Sequence, residues 1–183
     1  MKWTKLKKLA EDRLCDSLKG RVAYQLVVHR KSHDQTRTFR VTLDRHEIFR
    51  ASDIPFSMAA NTRGIELTAE RQIDPLAWVD NVGQLWQSPE LTRLHAAYDD
   101  AELEVKEQGL FPAWEMVPLL YEFLQLPIEQ ALAHEHPFIR AISLLDRWIG
   151  RRRLAGMKPE LEEALVRQFY EIRESAGKGI VIS

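Results

Sequence analysis

The spacing of apolar residues changes period along this chain, and that change limits the possible folds more than any other feature. Trp3, Leu6, Leu9/Ala10, Leu14 and Leu18 recur every three or four residues, which predicts an amphipathic helix over 4–19. Gly20 follows where a left-handed helix end is wanted. From Arg21 to Arg30 the period becomes two, with Val22, Tyr24, Leu26 and Val28 apolar. The polar stretch Lys31–Arg37 reads as a loop. Phe39, Val41 and Leu43 alternate again, and Asp44-Arg45-His46-Glu47 turns the chain into a short strand at Ile48–Ala51. A helix followed by a three-stranded antiparallel meander results, with one sheet face left to solvent or a partner.

Beyond the meander the helical period returns. Residues 52–73 show no clear period and contain Pro55 and Gly64, so they read as an irregular linker or cover. Asp74-Pro75 and Ser88-Pro89 look like N-caps with proline at the first helical position, opening helices at 75–86 and 89–108. A helix over Phe111–Gln125, disturbed at Pro118, and a short one at 128–133 come next. His136-Pro137 opens a helix running to Leu154. Pro159 opens the last, with Leu161, Leu165, Phe169 and Ile172 on its apolar stripe. The tail 177–183 adds a strand or frays. The expected class is therefore α+β. It divides into a basic helix-plus-meander unit at 1–52, the linker at 53–73 and an acidic helical body at 74–183, together one compact domain.

Charge is split near the first of these boundaries. Residues 1–50 carry 13 Lys and Arg against 6 Asp and Glu, a net of +7; the rest carry 13 against 21, a net of −8. Such asymmetry fits either a polyanionic partner or an electrostatic contact between the halves. The single cysteine, Cys15, excludes an intramolecular disulfide and reads as a packed helix residue in a reducing compartment. Charges at Glu11, Asp12 and Arg13 interrupt the apolar run a secretion signal needs, and no stretch approaches a membrane span of about 18 apolar residues. A cytoplasmic protein without membrane contact is the expectation.

The candidate binding surface is the outward face of the meander. By parity it holds Arg21, Gln25 and His29 on the first strand and Thr38, Arg40 and Thr42 on the second, with Arg30, Lys31 and Arg37 beside the hairpin loop. Cations in that arrangement can track a phosphate backbone of RNA or DNA. Tyr24 and Phe39 point the other way, so the aromatic platform of single-strand readers is missing. His29 and His33, with Asp34 and Arg37, are a candidate acid–base set for metal-independent RNA cleavage. A second basic face, Arg140, Arg147 and Arg151, follows from spacings of seven and four on one helix, and the acidic block Asp99–Glu107 offers it internal partners. His134 and His136 beside Glu135 lack the spacing of a metal site, and no phosphate loop, Rossmann fingerprint or nucleophile elbow occurs. No cofactor, metal or catalytic residue is assigned.

Two stretches are similar to a known family. Trp3-Thr4-x-Leu6-Lys7, Ser17-Leu18-Lys19-Gly20-Arg21-Val22-x-Tyr24, Ser32-His33-Asp34 and Arg37 resemble the opening of a family of small uncharacterised bacterial proteins. Ile128-Glu129-x-Ala131-Leu132, His136-Pro137-x-Ile139-Arg140-Ala141 and Leu144-Leu145-Asp146-Arg147 resemble its later segment. The resemblance implies a bacterial cytoplasmic source and the helix–meander–helices layout, and brings no activity with it. This chain departs from the pattern at Asp44-Arg45, where an Asp-Gly turn is typical, and at Trp148, where a basic residue is. The functional expectation is a non-enzymatic protein-interaction module, adaptor or antitoxin-like, contacting an unknown protein partner through the sheet face or the tail edge. A nucleic-acid-binding module is the alternative, and an RNase-like enzyme the third reading.

Overall fold

The computed structural model describes residues 1–29, 35–76, 82–86 and 88–177. In chain order the elements are α1 (Trp3–Arg13), β1 (Val22–Val28), β2 (Arg37–Leu43), β3 (His46–Ser52), α2 (Asp53–Glu70), α3 (Val82–Trp86), α4 (Pro89–Glu107), α5 (Ala113–Gln125), α6 (Ile128–Leu132), α7 (Pro137–Ser143), α8 (Arg151–Ala155), a 3-10 turn at Pro159–Leu161 and α9 (Ala164–Gly177). The fold is α+β, an N-terminal helix and a three-stranded antiparallel meander followed by a mostly helical body. Its contacts divide the chain into two compact units, Met1–Ala51 with Ala113–Ser183, and Ser52–Pro112. That division differs from the one expected at 52 and 73, because the C-terminal helices belong with the meander.

In the first unit the sheet order is β1-β2-β3, and β1 pairs β2 from Val22↔Leu43 to Val28↔Arg37. Alternation sends Val22, Tyr24, Phe39 and Val41 into the core. Phe39 sits at the centre of an aromatic cluster, with ring centroids 6.0 Å from Trp3, 6.4 Å from Tyr24, 6.4 Å from Phe49 and 5.7 Å from Phe138. Two helices, α1 and α7, and the sheet's other two strands are thus tied to one ring, in the edge-on and tilted geometries aromatic pairs favour. Burial pushes the Tyr24 phenol up, and the nearby Glu11 carboxylate adds to the shift. The β2–β3 turn places Asp44 and Arg45 both at positive φ, 50° and 72°. That backbone resembles the primed hairpin turn for which Asp-Gly is preferred. Here the turn is held instead by Arg21, whose guanidinium donates to both Asp44 carboxylate oxygens.

Two helices predicted for this unit are shorter than their apolar patterns. α1 stops at Arg13 instead of continuing to 19, and the helix opened by His136 stops at Ser143 instead of Leu154. The causes are linked. The Cys15 amide donates to the Leu145 carbonyl at 2.9 Å and the Arg147 amide to the Arg13 carbonyl at 2.8 Å, so the segments pair as a short antiparallel bridge. Backbone groups used this way cannot also serve a helix. A side-chain clamp sits at the bridge. Arg13 Nε donates to Asp146 Oδ2 at 2.6 Å, Arg13 Nη1 to the Phe123 carbonyl at 2.9 Å, and the guanidinium lies 4.3 Å from the Phe123 ring centre. Asp146 Oδ1 accepts from the Trp148 amide at 2.8 Å. The Asp146 side chain has no exposed surface. The last helix likewise starts later than expected, at Ala164, which leaves Leu161 exposed and puts Val166, Phe169 and Ile172 on the buried stripe.

The second unit corrects the linker expectation: residues 53–70 are an 18-residue helix, α2, packed on α4. Pro55 lies in its first turn, where a missing amide costs little. Its buried stripe is Phe56, Ala60, Gly64 and Leu67, a helical spacing carried partly by small side chains. At Gly64 an added Cβ would lie 2.6 Å from ring atoms of Tyr98. Of the helix predicted at 75–86, the described residues include α3; residues 73–76 are not helical, and 77–81 lie outside the described residues. Arg63 bonds Glu66, Glu70 and Glu104, and Arg71 bonds Asp100, so part of the acidic block serves α2.

Two stability outcomes follow from this packing. Asp146→Ala strands a mostly buried guanidinium and is expected to cost about 3–5 kcal/mol in urea unfolding, with Arg13→Met/Asp146→Leu recovering much of the loss. A cost below about 1 kcal/mol would show an exposed-type pair instead. Gly64→Ala gains helix propensity of about 1 kcal/mol but overpacks Tyr98, so a net loss of about 1–2 kcal/mol is expected, and Tyr98→Leu should reverse it.

Candidate functional site

The structure distributes the predicted basic residues among internal contacts. On the meander, Arg21 is paired with Asp44 and Arg40 Nε lies 3.2 Å from Glu47, which also takes Arg50 at 2.9 Å. The hydrogen bond from Arg21 is the main reason the Asp44 carboxyl titrates below its ordinary range. Thr38 and Thr42, expected outward, are buried, and Thr42 donates to the Ala23 carbonyl. His29 is exposed, with Nε2 3.4 Å from Thr38 Oγ1, and Arg37 is exposed at the start of β2. Arg30, Lys31, His33 and Asp34 lie outside the described residues, so the geometry of the histidine pair does too.

The second basic face is not one face, because the helix that would align it ends at Ser143. Arg140, on α7, turns to Glu162 and Glu163 and to the carbonyls of His134 and Glu135. Hydrogen bonding to Arg140 is the chief cause that lowers the Glu163 pKa. Arg147 sits in the bridge segment and Arg151 on α8. His134 and His136 each use a ring nitrogen locally: His134 Nδ1 accepts from the His136 amide, and His136 Nδ1 caps α7 at Phe138. Among the described residues no group of three His, Cys, Asp or Glu could hold a metal ion. Nor is any described helix long and apolar enough to cross a membrane.

Two concavities flank the segment 146–150 that the clamp holds. On one side a cleft of about 660 Å³ is walled by Cys15 and Ser17, by Arg147, Ile149 and Arg151, and by Tyr170 and Arg173 of α9. Arg173 is locked in its wall: Nη1 donates to Cys15 Sγ at 2.8 Å and Nη2 to the Ile149 carbonyl at 2.9 Å. Cys15 is buried as expected, but just past the helix end, with its sulfur 3.3 Å from Ser17 Oγ. On the other side a shallower groove of about 510 Å³ is lined by Leu126, Pro127, Ile128 and Trp148, with Arg13 and Arg153 beside them. Trp148 is 64% exposed, and the Arg147 guanidinium lies 5.4 Å from the centre of its ring. Arg153 is tied to Glu129 at 2.9 Å. Sequence reasoning noted Trp148 only as a departure from a family pattern. It missed both concavities, since neither exists until residues 13–15 pair with 145–147.

These features define an α+β protein with two open concavities on its meander-containing unit. Residues 2–174 match the SF0329 protein family, and the chain belongs to that family. No curated protein and no solved structure matches it.

Proposed function

We propose that the protein is a non-enzymatic interaction module whose contact surface is the Trp148 groove. The observation that carries this reading is a large aromatic ring standing 64% exposed beside a groove lined in part by Leu126, Pro127 and Ile128. Exposing a tryptophan beside Leu126, Pro127 and Ile128 leaves apolar area in water that a partner would remove, at about 25 cal/mol per Å². Trp and Arg are the residue types that dominate binding energy at protein interfaces. The Arg147 guanidinium, 5.4 Å from the centre of the Trp148 ring and without an ion pair among the described residues, favours a partner that brings a carboxylate beside an apolar side chain. Ion pairing of Arg21 and Arg40 weighs against the nucleic-acid reading, because each paired cation is already neutralised and releases fewer counterions on meeting a phosphate.

The test replaces Trp148 with a photoreactive benzoylphenylalanine in the full chain, in cells, with Lys5 as an exposed control position. Discrete protein adducts from position 148 but not from position 5 are expected. Once the partner is identified, Trp148→Ala should weaken its binding by about 30-fold or more, the loss typical of a central aromatic contact. Equal adducts from both positions, or adducts to nucleic acid alone, would remove the basis of this reading.

A further inference from the structure

The cleft on the other side of the 146–150 segment has a different chemistry, and we infer that it binds a small organic phosphate, a phosphate monoester carrying a planar ring. Its volume of about 660 Å³ falls among those of small-molecule sites and exceeds what a bare phosphate ion requires. Three arginines border it, Arg147 and Arg151 from one stretch of the chain and Arg173 from α9. Among the described residues Arg147 forms no ion pair, its guanidinium lying 5.4 Å from the centre of the Trp148 ring, and Arg151 donates to the Gly177 carbonyl through Nη2. Guanidinium groups in this number suit a dianionic phosphate, whose oxygens accept several forked hydrogen bonds at once.

Arg173 is fixed in the cleft wall. Two of its nitrogens are held by Cys15, Ser17 and the Ile149 carbonyl, while Nε is buried and lacks a hydrogen-bond partner. The same contacts fix the guanidinium in advance, so little conformational entropy is lost on binding.

Two carboxylates also border the cleft and bound its charge. The Asp16 side chain is almost fully exposed and engaged by Lys19, and Glu174 already has an interaction of its own. The remaining wall is apolar: Ile149, Leu154 and Tyr170, the last fixed by its hydroxyl to the Leu154 carbonyl at 3.4 Å. An apolar wall ending in an aromatic ring is where a base or other planar group would lie, with the phosphate toward the arginines.

Calorimetric titration of the full chain with adenosine 5′-monophosphate, ribose 5-phosphate, inorganic phosphate and adenosine tests this. Saturable binding of the nucleotide is expected, about tenfold or more tighter than ribose 5-phosphate, with adenosine weaker still. Arg151→Ala, an exposed position, should weaken it by about tenfold, and Arg173→Lys, which keeps the charge and loses the fork, by a similar factor. Should Arg173→Lys fail to fold, Arg147→Ala with Arg151→Ala carries the test. The inference is overturned by the absence of binding up to about 10 mM nucleotide, by adenosine binding as well as its monophosphate, by ribose 5-phosphate binding equally, or by an unaltered affinity in Arg151→Ala.

Discussion

A carboxylate with no exposed surface must find compensation inside the protein, and in this structure Asp146 finds it in Arg13, 133 residues away in sequence. Taking both charges out of water costs several kcal/mol per ion, so the arrangement is tolerable only when every remaining bond is made. Further contacts are present: the Phe123 carbonyl accepts from Nη1, the Phe123 ring lies against the guanidinium, and the Trp148 amide donates to the second carboxylate oxygen. Around this pair the backbones of residues 13–15 and 145–147 join. The clamp therefore decides where two helices end and fixes the segment 146–150 in an irregular conformation.

Both candidate binding surfaces follow from that fixed segment. Its side chains face different surroundings: Trp148 lines the groove, whereas Arg147 and Ile149, with Arg151 just beyond, line the cleft. A continuous helix from His136 to Leu154 would have placed Arg140, Arg147 and Arg151 in one row and left no cleft beside Cys15. Breaking it lets Arg140 stabilise the approach to α9 through Glu162 and Glu163 and leaves Arg147 and Arg151 to the concavity. The proposed protein contact and the proposed phosphate site thus share one structural origin while differing in chemistry.

The sequence carried the periodic parts of this fold well and the irregular parts poorly. The α1 stripe of Leu6 and Ala10 and the alternation of Val22, Tyr24, Phe39 and Val41 are local signals, and they placed the helix and meander correctly. Ser88-Pro89 and His136-Pro137 marked true helix starts because capping is chemistry between near neighbours. α2 was missed because Ala60 and Gly64 on its stripe are too small to register as hydrophobic, although Gly64 is needed for the approach of Tyr98. Helix ends at Arg13 and Ser143 were missed because the groups that end them are more than 100 residues apart. For the same reason Arg147, Arg151 and Arg173 could not be seen as neighbours, and a linear charge pattern drew attention to the meander, where Arg21 and Arg40 are paired.

Native-state hydrogen exchange at the amides of Cys15, Arg147 and Trp148 tests the central claim most directly. If the clamp holds these segments as one body, the three amides exchange only when the first unit unfolds, with protection matching Tyr24 and Val41 in the sheet. Exchange at these three amides through local opening, well before the sheet amides, would contradict the account, since the segment presenting both surfaces would then not be fixed by Arg13 and Asp146.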